Sequence, residues 1–152
     1  LEELARAQRN DTSLACLLID VDHFKSVNDN FGHLAGDFVL KEIADRVEAQ
    51  VRASDVAARY GGEEFALLLP DTRARDALIL AERIREAIDR GPVVLDSGQR
   101  IPVTVSIGIS SVRPALSAAD LKSLGEKLIA EADVQLYRAK SDGRNAVRRA
   151  ED

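Results

Sequence analysis

Apolar positions along the chain change period several times, and each change marks a boundary between elements. Residues 14–21 open with six apolar residues in a row, Leu14-Ala15-Cys16-Leu17-Leu18-Ile19, and close on Asp20-Val21. An unbroken run of this kind is the pattern of a central strand buried on both faces. Residues 1–9 instead place Leu1, Leu4 and Ala5 on one helical face, and Asn10-Asp11-Thr12-Ser13 breaks that helix. A short helix is predicted over residues 24–31, stopped at Gly32. A longer one follows over 36–52, with Val39, Leu40, Ile43 and Val47 at helical spacing. Residues 55–60 and 65–69 read as two strands joined by Gly61-Gly62, a hairpin with a primed turn in which both glycines take positive φ. The next helix, over 73–90, carries Leu78, Ile79, Ala81, Ile84 and Ile88 and ends at Gly91-Pro92. Strands over 93–95 and 101–109 flank the turn Asp96-Ser97-Gly98, a last helix covers 118–139, and a short strand lies near Ala146-Val147. Strand, helices, hairpin, helix, strand, helix is the βαββαβ order of a ferredoxin-like α+β domain with additions.

The size and balance of the chain narrow its class. A length of 152 residues, 45% of them hydrophobic, suits one core and a single domain over residues 1–152. A formal net charge of −5 argues against non-specific binding of nucleic acid or an anionic membrane. No run approaches the ~18 apolar residues of a membrane helix. The lone Cys16, inside the apolar strand, leaves no disulfide framework and fits a reducing cytoplasm. The chain starts at Leu1 and has no methionine, so the expectation is a fragment of a longer protein whose upstream region is missing.

Two acidic segments carry the chemistry. Asp20 ends a strand buried on both faces, where a carboxylate is costly to ionise unless it is paired or binds a metal. If that strand lies beside the Gly61-Gly62 hairpin, Asp20 and Glu63 converge at one rim of the sheet. Glu63 and Glu64 are adjacent carboxylates, which repel each other unless a cation lies between them. Hard oxygen ligands of this kind suit Mg²⁺, whose shell is completed by water and substrate phosphates. Asp22 precedes His23-Phe24-Lys25, where a helix starts, and is read as its N-cap.

With these residues in place the chain resembles a GGDEF domain, the catalytic domain of bacterial diguanylate cyclases, with the signature read here as Gly61-Gly62-Glu63-Glu64-Phe65. The likeness runs from about Leu14 to Val147 and includes Ile19-Asp20-Val21-Asp22-His23-Phe24-Lys25, Asn28-Asp29, Gly32-His33, Gly36-Asp37, Ala58-Arg59-Tyr60 and Val103 to Gly108. It implies a central antiparallel sheet flanked by helices, similar to nucleotidyl cyclases and polymerase palms. It also implies condensation of two GTP into cyclic di-GMP and two pyrophosphates, with Mg²⁺, or Mn²⁺ in its place, at two ions per active site. By the same resemblance Asp20, Glu63, Glu64 and the Val21 carbonyl hold the metals, and Asp20 and Glu63 are catalytic. Asn28 and Asp37 read the guanine edge, and His33 contacts substrate. Lys140, Arg144 and the main-chain amides near Phe24 and Lys25 hold the phosphates.

Regulation and assembly follow from the same likeness. Arg52-Ala53-Ser54-Asp55 has the Arg-x-x-Asp spacing of the family's inhibitory product site, and Arg83 matches a further contact to that ligand on a second domain. Each domain holds one GTP, so turnover implies a homodimer with facing active sites. Family members carry an Asp-x-Leu-Thr-Gly-Leu-x-Asn-Arg segment before the first strand that is not in this sequence, together with an upstream sensory or receiver region. Two rival readings are a silent domain that senses cyclic di-GMP at Arg52 and Asp55, and a GTP-binding regulatory domain for a fused phosphodiesterase.

Overall fold

Leu14–Val21 (β1) is buried at every position, as a run without alternation requires. The computed structural model describes residues 1–151, and in it β1 is the middle strand of a five-stranded sheet. Before it comes α1 (Glu2–Asn10), and after it α2 (Phe24–Phe31) and α3 (His33–Glu48). The hairpin strands are β2 (Val56–Arg59) and β3 (Glu64–Pro70), followed by α4 (Ala74–Asp89). A two-stranded ribbon, β4 (Val93–Val94) with β5 (Arg100–Ile101), stands apart from the main sheet. The chain closes with β6 (Val105–Val112), α5 (Leu121–Ser141) and β7 (Val147–Arg149). The sheet order is β2-β3-β1-β6-β7. Its first four strands are antiparallel, in the ferredoxin-like arrangement, and β7 is added parallel to β6.

The two faces of β1 serve different layers. Ala15, Leu17, Ile19 and Val21 join the core formed with α2, α3 and α4. Leu14, Cys16 and Leu18 pack with Leu4 and Ala7 of α1 and with Leu128, Ala132 and Leu136 of α5. Asp20 continues this second series, which directs its carboxylate to the α5 side. Burial pushes the Cys16 thiol up to about 12, so it stays neutral and acts as a small apolar side chain.

Several sequence expectations are corrected. Neither Gly61 nor Gly62 has positive φ, so the hairpin does not close through a primed turn. Tyr60 and Gly61 instead both donate their N–H to the Glu64 carbonyl, at 2.8 and 3.3 Å, leaving a wider loop. Ile79 is 66% exposed, because the buried face of α4 is set by Ala74, Ala77, Ala81, Ile84 and Ile88. In α1 the buried pair is Leu4 and Ala7, with Leu1 exposed. Helix α3 begins three residues earlier than periodicity suggested, directly after Gly32 at φ 90°, and ends at Glu48.

Two contacts fix the helices that carry the site. Arg46 of α3 donates to the carbonyls of Ile88, Gly91 and Pro92 at 3.2, 2.7 and 3.2 Å, which ties the C-terminus of α4 to α3. Helix α5 lies directly on β6 at Gly108, where an added Cβ would sit 2.1 Å from the Ala132 carbonyl oxygen and 2.3 Å from the Leu136 nitrogen. Both are backbone atoms, so relief requires the helix to move. Gly108→Ala is therefore expected to lower stability at or beyond the upper end of the about 1–3 kcal/mol typical of overpacking, read by urea denaturation.

Candidate functional site

At the rim of the sheet the backbone ladder does the positioning. Asp20 stands opposite Glu64 of β3 and Ser106 of β6, and the Val21 N–H donates to the Glu63 carbonyl at 3.3 Å. The acids of both predicted segments therefore meet at one end of β1, with Glu64 as the direct cross-strand neighbour and Glu63 one residue beyond the strand. Asp20 is 6% exposed and forms an ion pair with Lys140 through Oδ2. Lys140 comes from the last turn of α5, the helix that packs on the Asp20 face.

Asp20 Oδ1 is buried and has no hydrogen-bond partner. A buried ionised oxygen without a partner is costly, and it is the kind of atom that a hard cation satisfies. Glu64 is also perturbed. Burial, then the charges of Asp20, Asp133 and Glu63, push its carboxyl above the ordinary value of 4.5, against the opposing pull of Lys140. Among the described residues no three His, Cys, Asp or Glu side chains are grouped as a metal cage. The donor set here is two or three carboxylates and a carbonyl, which fits Mg²⁺ because that ion keeps several waters and takes substrate phosphates.

Asp22 is not a helix cap. The N-cap of α2 is His23, at φ 55° and with no side-chain capping bond. Asp22 is 6% exposed and accepts from Ser106 Oγ at 2.7 Å, Thr104 Oγ1 at 2.7 Å and the Asn145 N–H at 3.0 Å. Its partners lie on other elements, so the local helix-start pattern misassigned it.

A second unpartnered oxygen lies between α2 and α3. Asn28 Oδ1 is buried without a hydrogen bond, beneath Gly36. A Cβ at Gly36 would fall 1.9 Å from that oxygen and 3.1 Å from Phe24 Cζ, so glycine is what lets α3 pass so close. Asp37 follows Gly36 and is exposed, as is His33 at the first turn of α3. Phe24 and Lys25 open α2; the Ser26 and Val27 N–H groups donate to the His23 carbonyl at 3.0 and 3.4 Å, and the Phe24 and Lys25 amides precede these first bonds of the helix. Past the end of α5, Gly143, Arg144 and Asn145 all have positive φ, at 115, 65 and 45°. Arg144 is exposed on this turn. Asn145 was not singled out from the sequence, and the only signal available was its position in Gly143-Arg144-Asn145.

Arg52, Asp55 and Arg83 come together away from this rim. They line a cleft of about 250 Å³ with Gln50, Thr72 and Asp76. The Asp55 side chain is fully buried, and both its oxygens accept from Arg52: Oδ2 from the backbone N–H at 2.8 Å, Oδ1 from Nη2 at 3.3 Å. Nη2 also reaches the Pro70 carbonyl and Thr72 Oγ1, both at 3.2 Å. Arg83 Nη2 donates to the Gln50 carbonyl at 3.1 Å. The cleft thus holds two arginines whose placement is set by the backbone around them.

Comparison with known proteins agrees in sequence and in structure. The family model described as "Diguanylate cyclase, GGDEF domain" matches residues 1–146. Diguanylate cyclase A of Treponema denticola is 46% identical over 135 residues, covering 89% of this chain and 34% of that protein. Response regulator PleD of Caulobacter vibrioides is 45% identical over 143 residues, covering 93% and 30%. The chain thus spans about a third of the length of these curated relatives. Among solved structures, the active GGEEF domain of a diguanylate cyclase from Vibrio cholerae superposes with a TM-score of 0.85 at 32% identity, covering 99% of this chain and 91% of that one. The GGDEF domain of DgcB from Caulobacter crescentus, in complex with c-di-GMP, gives 0.88 at 31%, covering 99% and 85%.

The raised Glu64 carboxyl has a consequence for stability. Because its folded value lies above its unfolded one, the unfolded chain loses this proton first, and stability falls as pH rises from about the ordinary 4.5 through the folded value. Glu64→Gln removes that charge. It is expected to raise the melting temperature at pH 7–8 in metal-free buffer, with the gain shrinking toward pH 4. Equal melting curves at pH 8 would contradict it.

Proposed function

The chain belongs to the GGDEF domain family, and on that footing we propose that it is a diguanylate cyclase half-site, joining two GTP into cyclic di-GMP when two copies face each other. The observation that carries this reading is the pair of buried, unpartnered oxygens, Asp20 Oδ1 at the end of β1 and Asn28 Oδ1 between α2 and α3. One is an anionic ligand for a cation and the other an acceptor for a base edge that offers N–H donors. Guanine presents such donors at N1 and its amino group, and Asp37, next to Gly36, adds a second acceptor. Adenine lacks that donor pair, so GTP is favoured over ATP.

In the proposed reaction the 3′-hydroxyl oxygen of one GTP bonds to the α-phosphorus of the other, and the bond to pyrophosphate breaks with its electron pair leaving on the pyrophosphate. Divalent metal held by Asp20, Glu63, Glu64 and the Val21 carbonyl, Mg²⁺ or Mn²⁺ at two per site, supplies charge neutralisation and a more acidic 3′-hydroxyl when bound. Glu63, exposed at the loop end, is the acceptor for the hydroxyl proton. Lys140 and Arg144 meet the triphosphate charge, and the first-turn amides at Phe24 and Lys25 add backbone donors. His33 contacts the bound nucleotide from the start of α3. Repeating these steps across a two-fold axis closes the ring, which requires a homodimer.

Arg52, Asp55 and Arg83 form the proposed product-inhibition site, since paired guanidinium groups suit both phosphate and the Hoogsteen edge of guanine. The setting proposed is the cytoplasm, where GTP is available, under an upstream sensory or receiver region. None of the described helices is long and apolar enough to cross a membrane. A silent cyclic di-GMP receptor is the rival, and it leaves the unpartnered Asp20 and Asn28 oxygens without a purpose.

Incubating the concentrated chain with GTP and Mg²⁺ and separating the nucleotides by chromatography tests the reading. Cyclic di-GMP is expected from the native chain and at least about 10²-fold less from Asp20→Ala or Glu63→Ala. Binding of cyclic di-GMP with no binding of GTP would make the chain a receptor instead. In the same assay Arg52→Ala is expected to keep the initial rate while the progress curve stays linear to higher product, and unchanged curvature would rule out the inhibitory role.

A further inference from the structure

Asp22 is the carboxylate at the end of β1 whose charge is answered entirely by the protein. Its Oδ2 accepts from Thr104 Oγ1 at 2.7 Å and from the Asn145 N–H at 3.0 Å, and its Oδ1 accepts from Ser106 Oγ at 2.7 Å. The two hydroxyls come from Thr104, just before β6, and from Ser106 near its start, and they aim the carboxylate. The amide comes from the turn after α5, which also carries Arg144.

That turn does not hold itself. Arg144 and Asn145 both sit in the left-handed region, at φ 65 and 45°, which side chains disfavour unless surroundings impose it. On one flank the Arg144 N–H reaches the Ala139 carbonyl at 3.0 Å. On the other flank Asn145 is gripped twice. Its backbone N–H goes to Asp22, a charge-assisted bond and so a strong one. Its side chain accepts from Arg85 Nη1 at 3.0 Å and donates to Asp89 Oδ2 at 3.3 Å, both on α4.

We infer that Asp22 is a positioning residue for the triphosphate: by holding the Asn145 amide it fixes the left-handed turn that presents Arg144 to the phosphates of GTP. The inference rests on the cyclase reading above and adds to it a role for the second acid of Asp20-Val21-Asp22. Asp22 acts through Arg144 and touches neither nucleotide nor metal. The Thr104–Asp22–Asn145–Arg85 chain therefore links β6, β1, the turn and α4 into the frame on which Arg144 is mounted.

Calorimetric titration with a GTP analogue bridged by methylene between the α and β phosphates, and with GMP, both with Mg²⁺, separates phosphate contacts from base contacts without turnover. Asp22→Ala is expected to weaken the analogue about tenfold and GMP less than about twofold. Arg144→Ala should do the same, and the double variant should be no more than about twofold weaker than either alone, because both changes remove one contact. Asp22→Asn should stay within about threefold of native, since its amide oxygen still accepts from Asn145 and Thr104 while its NH₂ donates to the Ser106 hydroxyl. Should Asp22→Ala fail to fold, the same cycle with Thr104→Val carries the test, with a smaller loss that vanishes in the Arg144→Ala background. Additive losses, equal weakening of the analogue and GMP, or an Asn variant as poor as Ala would each overturn the role of Asp22. Failure of the native chain to bind the analogue at all would instead overturn the nucleotide reading on which it rests.

Discussion

Water is excluded from the end of β1, and two carboxylates, Asp20 and Asp22, are placed there two residues apart. Removing an ionised group from water costs several kcal/mol even after the surroundings relax, so the fold has to answer each charge. It answers them differently. Asp22, one residue past the strand, receives three donors and is saturated. Asp20, on the α5 side, receives one lysine and keeps an oxygen with no partner. The end of the strand at Val21 thus separates two chemically identical side chains, a structural one just past it and an available one within it.

The flanking helices are arranged around that division. Helix α5 can bring Lys140 to Asp20 because Gly108 allows its backbone to rest on β6. Helix α4 serves the other side twice, with Arg83 lining the cleft beside Arg52 and Arg85 gripping Asn145 two residues later. Arg46 holds the far end of α4 by its free carbonyls. Each helix is therefore located at more than one point, and the rim residues inherit that precision.

Much of this was legible in the sequence where the signal is local. Strand β1 and helix α2 fall where the apolar run and Gly32 set them, and the convergence of Asp20 with the Glu63-Glu64 pair followed from topology. What was missed depends on distant partners. Asp22 looks like a helix cap until Thr104, Ser106 and Asn145 are seen to surround it, and those partners lie 82, 84 and 123 residues away. Gly61-Gly62 suggested a primed turn because that is what paired glycines most often serve, yet here a shared acceptor, the Glu64 carbonyl, closes a wider loop. The apolar residues that mark α4 in the sequence include Ile79, which is exposed, whereas the buried face of the helix begins with the alanines at 74, 77 and 81.

The ends of the sheet bear on how such a domain lives with copies of itself. The proposed reaction would bring two identical domains face to face and so favour high local concentration, the condition under which unpaired strand edges zip together into aggregates. Here one edge, β2, is only four residues long and ends in Arg59, and the other, β7, is three residues long with Arg148 and Arg149. Edges this short offer little backbone to pair with. Strand pairing is thereby disfavoured at the sides of the sheet, so the face-to-face meeting at the β1 rim that the proposed reaction calls for would not have to compete with it.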